Sequence, residues 1–89
     1  DEQPVKLYPN PANEIVNVRI DDTSLEPGFV KIVSLSGRVL YEDKINPGTL
    51  DFQIPLDLDK GIYIVQFGTG NLTLFTQKLV VGNQSTVSR

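Results

Sequence analysis

Apolar residues recur at every second position along most of this 89-residue chain, and that alternation constrains its fold more than any other feature. A side chain returns to the same face of an extended strand every two residues, whereas an amphipathic helix needs a period of about 3.6. Over residues 14–20, Val16, Val18 and Ile20 share one face and Asn17 and Arg19 take the other. Leu50, Phe52, Ile54 and Leu56 alternate with Asp51, Gln53 and Pro55. Tyr63, Val65 and Phe67 fall into line, as do Phe75, Leu79 and Val81. These runs are rich in β-branched and aromatic residues, as half-buried strands are. The stretch Asp57–Lys60 offers one helical turn at most, stopped by Gly61.

Turn chemistry separates the runs. Pro9-Asn10-Pro11, Glu26-Pro27-Gly28, Ser36-Gly37, Asn46-Pro47-Gly48, Lys60-Gly61 and Gly68-Thr69-Gly70-Asn71 are spaced as the turns of a sandwich or small barrel of short strands are. Seven strands are predicted, over residues 5–8, 14–20, 29–35, 38–45, 50–56, 62–68 and 72–81. Gly37 and the Gly68–Asn71 stretch read as tight hairpin turns. Pro55 belongs at a strand end or an edge, because it has no N–H for a ladder. Residues 38–45 are the least regular, with Val39, Leu40 and Tyr41 apolar on both faces.

Composition closes off most chemistry. With no Cys, neither a disulfide framework nor a thiolate metal site supports the core. With no His, the imidazole base of a Ser-His-Asp arrangement and the commonest transition-metal ligand are both missing. A net charge of −3 with eight Lys and Arg is not a nucleic-acid footprint. No apolar run approaches the roughly 20 residues of a membrane helix, so membrane insertion is not expected. The chain also lacks Met, which predicts a piece of a longer polypeptide.

The acidic pairs Asp21-Asp22 and Asp57 with Asp59 match no calcium loop and read as solvated turn carboxylates. A glycosidase pair would need a cleft that raises one pKa, for which so short a chain leaves little room. The stretch Gly68–Gly70 lacks the Lys-Ser/Thr of a phosphate loop. No catalytic residue, metal ligand or cofactor is therefore expected. Asn71-Leu72-Thr73 and Asn83-Gln84-Ser85 match the glycosylation sequon, a common pattern. Tyr41, Phe52, Tyr63, Phe67 and Phe75 lie in strands and read as core, while Tyr8 and Phe29 stand at strand ends as candidate surface contacts.

Four stretches carry a family resemblance. Leu7-Tyr8-Pro9-Asn10-Pro11-Ala12-Asn13-Glu14 resembles the opening of the type IX (Por) secretion C-terminal sorting domain, type A. Residues 30–40, Val-Lys-Ile-Val-Ser-Leu-Ser-Gly-Arg-Val-Leu, are similar to that family's second block, and Lys60-Gly61-Ile62-Tyr63-Ile64-Val65 to its Gly-x-Tyr block. Lys78-Leu79-Val80-Val81 resembles its closing block. The recognition residues this picks out are Pro9, Asn10, Pro11, Gly37, Gly61, Tyr63, Lys78, Leu79, Val80 and Val81. Several have folding reasons of their own. The prolines fix φ near about −65°, Gly37 and Gly61 permit turns with positive φ, and Tyr63 can bury its ring while its hydroxyl stays near the surface. Lys78 is the residue turn geometry explains least. A closing strand at a sheet edge offers unpaired backbone groups for another protein to read.

The resemblance implies a seven-stranded antiparallel immunoglobulin-like β-sandwich with Greek-key connections. Residues 1–4 would be a linker from upstream cargo and 5–81 the sorting domain. Residues 82–89 form a polar tail, native or added by cloning, with the composition of a disordered segment. Such a tail departs from the family, whose members end close to the closing block. The implied role is an address that carries cargo from the periplasm through the type IX outer-membrane translocon of a Gram-negative bacterium. Its implied partners are that translocon and its outer-membrane shuttle protein. A sortase-type cysteine peptidase would cut upstream of the domain and leave the cargo at the cell surface. Two other readings fit the same architecture: a carbohydrate- or protein-binding accessory module, or a retained domain of a secretion-machinery component. Oligomeric state is not legible in the sequence.

Overall fold

The computed structural model describes residues 4–22 and 26–82. Seven strands follow in order: β1 Val5–Tyr8, β2 Ile15–Ile20, β3 Phe29–Val33, β4 Val39–Lys44, β5 Asp51–Pro55, β6 Gly61–Thr69 and β7 Leu72–Val81. Each predicted run becomes one of them, with ends shifted by up to two residues, and the Asp57–Lys60 stretch stays irregular. All strand pairings are antiparallel and form two sheets, β1-β2-β5 and β4-β3-β6-β7. The chain leaves the first sheet after β2, returns for β5 and leaves again for β6, so β2 pairs β5 and β3 pairs β6 across long intervals. This is the Greek-key winding of an immunoglobulin-like sandwich.

The alternating faces meet between the sheets. Val5, Leu7, Val16, Val18, Ile20 and Ile54 come from the first, and Val30, Ile32, Val65, Phe67, Leu79 and Val81 from the second. Burying each such side chain contributes about 1.5–3 kcal/mol. Tyr41, Phe52, Tyr63 and Phe75 pack partly buried against this cluster, in keeping with their core reading. Leu50 departs from its expected alternation. It lies just before β5 and is 49% exposed, although its carbonyl already accepts the Ile20 N–H of β2 at 2.7 Å.

The irregular segment 38–45 has a simple cause. Ile32 pairs Tyr41 but Val33 pairs Val39, so Leu40 is an extra residue bulged out of β4. A bulge hands the strand's next residues to opposite faces, and the apolar pattern on both faces follows. Gly37 turns this hairpin at φ +96°, within a bond from Gly37 N–H to the Ser34 carbonyl at 2.9 Å. At the other hairpin Gly70, φ +59°, turns β6 into β7.

The registers define two ends. At one, which we call the Val5 end, lie the start of β1 and the connections β2–β3, β4–β5 and β6–β7. The other, the Asn10 end, carries the connections β1–β2, β3–β4 and β5–β6 together with the end of β7.

Candidate recognition surface

The residues singled out in sequence gather at the Asn10 end. The segment after β1, whose Tyr8–Pro9 and Asn10–Pro11 bonds are both cis, crosses from the first sheet to the free side of β7. There the Asn10 carboxamide donates from Nδ2 to the Lys78 carbonyl at 3.0 Å and accepts at Oδ1 from the Val80 N–H at 2.9 Å. Ala12 continues the contact, its N–H bonding the Val80 carbonyl at 2.8 Å and its carbonyl receiving the Gly82 N–H at 2.7 Å. Ala12 and Val81 form a parallel bridge. The opening and closing blocks, 68 residues apart at this contact, are therefore one structural unit.

This closes part of the edge expected to stand open along the closing strand. Along Lys78–Gly82 the outward backbone groups bonded by Asn10 and Ala12 are occupied from within the chain. Leu79 and Val81 are core residues, 0% and 2% exposed, while the Lys78 side chain stands in solvent. Gly82, expected in the tail, is tied to Ala12; residues 83–89 lie outside the described residues. Of the expected linker, Pro4 accepts hydrogen bonds from Asp21 and Asp22 at 2.9 and 3.2 Å, and residues 1–3 lie outside.

The middle blocks border the same end. Ser34 and Ser36 share a hydroxyl hydrogen bond at 2.9 Å beneath Gly37, and Ser34 Oγ also accepts from the Arg38 N–H at 3.1 Å. Tyr63 lays its ring against the core and donates its hydroxyl to the Asp59 carbonyl at 2.6 Å, closing the β5–β6 connection. Gly61 has the expected positive φ, +157°, but it opens β6 rather than turning a loop. On the outer face of the four-stranded sheet, the pairs Val39–Val33, Val33–Ile64 and Ile62–Val80 form an apolar stripe that sequence reasoning missed. Ile62 and Val39 are 46% and 48% exposed, and their place in the alternation opposite core residues was the available signal.

An aromatic binding platform is absent from the described surface. Tyr8 is exposed, but Phe29 packs over the Cα of Gly68 with Lys31 Nζ 5.0 Å from its ring centroid, and Tyr41 donates to Asp43 at 3.3 Å. Among the described residues no group of three or more acidic side chains converges to hold a metal ion. At the Val5 end, Ile20, Pro27, Ile45 and Leu50 help line an open depression of about 510 Å³.

A family model described as the secretion system C-terminal sorting domain matches residues 6–82, the segment that contains all four blocks. The chain belongs to that family. It is a type IX secretion sorting domain, and membership implies interaction with the type IX secretion system and export across the outer membrane. The sorting domain is also similar to ulvan lyase NLR42 of Nonlabens ulvanivorans, 30% identical over 77 residues, 86% of this chain. The match spans 14% of that protein's length. No solved structure matches the chain. The family is one of sorting signals rather than catalysts.

Proposed function

We propose that the Asn10 end is the face of this sorting domain that the secretion machinery reads, with Lys78, the Ser36-Gly37 turn and the exposed part of the Ile62–Val80 stripe as the contacted groups. On this reading Pro9, Asn10, Pro11, Tyr63, Leu79 and Val81 act one step back, holding the presented surface in shape. The single observation that supports it is topological. Four blocks scattered over residues 7–81 converge on one end of the sandwich, while β1 enters from the other. A cargo joined ahead of residue 5 leaves the Asn10 end unobstructed. In this account the domain itself performs no catalysis. It passes through the periplasm, is bound there by the outer-membrane shuttle protein and the translocon, and is cut upstream of β1 by a sortase-type cysteine peptidase.

The test compares the two ends. A fluorescent reporter ending in this chain is expressed in a host carrying the type IX system, and extracellular fluorescence is measured. Lys78→Ala should lower export several-fold with the melting temperature unchanged, because its side chain is exposed, and Ser36→Ala should lower it likewise at a cost of about 1 kcal/mol or less for its bond to Ser34. Glu26→Ala and Asn71→Ala, at the Val5 end, should leave it intact. Equal losses from both ends would remove the basis for assigning recognition to this face.

A further inference from the structure

We propose that the element of the secretion machinery received by this domain is an acidic amphipathic helix, laid across the outer face of the four-stranded sheet at the Asn10 end. This rests on the preceding reading, that the machinery contacts this end, and adds the chemistry of what docks there. The starting point is the apolar stripe. Val33 is only 6% exposed yet lies outside the core cluster, because it follows Ile32 in the alternation and faces outward. Val39, Ile64, Ile62 and Val80 join it through the cross-strand pairs already described. These aliphatic side chains form a second cluster, turned to solvent and covered by no element of the chain.

Charge is sorted between the two sheets here. Arg38 directly precedes β4, Lys60 directly precedes β6, and Lys78 pairs with Ile64 in the stripe itself, so three cations flank the apolar residues. All three are exposed, and none has an ion-pair partner among the described residues. On the other sheet, by contrast, Lys6 and Arg19 are both held by Asp21. The carboxylates of the Asn10 end fall mostly with the three-stranded sheet, Glu14 directly before β2 and Asp57 just after β5. Asp59 lies on the connection between the sheets, next to Lys60, and Glu42 sits one pair further along, opposite Lys31. An apolar strip framed by unpaired cations is complementary to an apolar ridge framed by carboxylates.

The shape of the strip selects a helix to carry that ridge. It runs across β4, β3, β6 and β7, three strand spacings of about 4.8 Å, or about 14 Å in all. About ten helical residues cover that length at about 1.5 Å each and bring apolar side chains to one side every third or fourth position. An extended segment laid on a sheet face would leave its N–H and C=O groups without partners, whereas a helix satisfies them internally. The centre of the strip is recessed, with Ile64 and Val80 half-buried beside Val33. It therefore receives side chains rather than inserting them into a lipid surface. A contact this small is weak and reversible, as suits a signal that has to be released.

Two measurements test this together. In the export assay, Arg38→Glu, Lys60→Glu and Lys78→Glu should each lower extracellular yield about tenfold, and more than the matching Gln substitution, with the melting temperature kept. Lys44→Glu, the same charge change at the Val5 end, should leave export intact. Ile62→Ser should lower it as the Glu variants do. In solution, the labelled chain is titrated by NMR with a designed capped helix of about 15 residues that carries Leu on one face and Glu on its flanks. The same helix with Lys in place of Glu, and phosphatidylglycerol vesicles, are the comparisons; Leu35, 69% exposed on the turn beside Arg38, is the side chain best placed to enter a bilayer. The acidic helix should shift the amides of Val33, Ile64 and Val80 and bind more weakly as salt rises. The Lys helix should bind only the chain carrying all three Glu substitutions. Export lost with Ile62→Ser but indifferent to charge would overturn the acidic helix and keep the face as the one that is read. Export indifferent to every one of these variants would remove that reading as well. A wild type that binds both helices alike, neither of them, or the vesicles in preference would also overturn the proposal.

Discussion

Single side chains fix the position of whole segments in this domain. Asn17, on the outer face of β2, donates to the Tyr8 carbonyl at 3.1 Å and accepts from Gln53 at 3.0 Å, joining all three strands of its sheet where the Asn10 segment departs. Asn17→Ala should lower stability by about 1 kcal/mol, read as a shift in the urea midpoint. Gly37 carries a cost of a different kind. A Cβ there meets nothing within 4 Å, so Gly37→Ala would pay only for its backbone at φ +96°, about 1–2 kcal/mol. For a domain of this size each kcal/mol lowers the melting temperature by about 4–8 °C. Tyr41 supplies a pH dependence. Desolvation, then the Asp43 carboxylate and its hydrogen bond, holds the phenol above the usual tyrosine range. A pKa raised by folding stabilises the fold fully below the unfolded value of about 10 and ceases to do so as pH climbs through the folded value. The wild type should therefore lose more stability than Tyr41→Phe in alkaline urea titrations, and parallel losses in the two proteins would contradict this.

At the scale of elements, β7 holds three environments along one strand. Its outward N–H at Val80 is bonded by Asn10, that at Thr76 is bare, and the inward groups pair with β6. Hydrogen exchange should show Val80 protected and Thr76 exchanging at least tenfold faster, although both lie in one continuous strand. Leu79, wholly buried opposite Tyr63, anchors the strand, and Leu79→Ala should cost about 2–5 kcal/mol in equilibrium unfolding. The strands themselves were legible because a two-residue period survives wherever one face is buried. Leu40 blurred it, since a bulge inverts the pattern in mid-strand and only the pairing with Ile32 and Val33 makes that visible. The Asn10 contact with β7 left no trace in spacing. Its bonds run from a side chain to backbone groups, so nothing about the residue types at 78 and 80 announces it.

For the molecule as a whole, folding and addressing draw on the same residues. With a folded surface of 5728 Å² this chain hides roughly 8,700 Å² of its extended-chain area; if about 60% is apolar, burial contributes about 130 kcal/mol against about 134 to order the chain. So narrow a margin leaves little room for strain and explains why Pro9, Gly37, Tyr63 and Leu79 serve the fold wherever else they are needed. The blocks could be read in sequence as a family pattern, but their meeting at one end depends on the crossovers between sheets, which local periodicity does not encode. The central claim, that this sandwich is an export address, is tested most directly by extracellular yield of an inert periplasmic reporter ending in this chain, compared with the reporter alone, in a host with the type IX system. The account predicts that the fusion accumulates outside the cell and that the bare reporter stays in the periplasm. A folded fusion retained as fully as the bare reporter would contradict it.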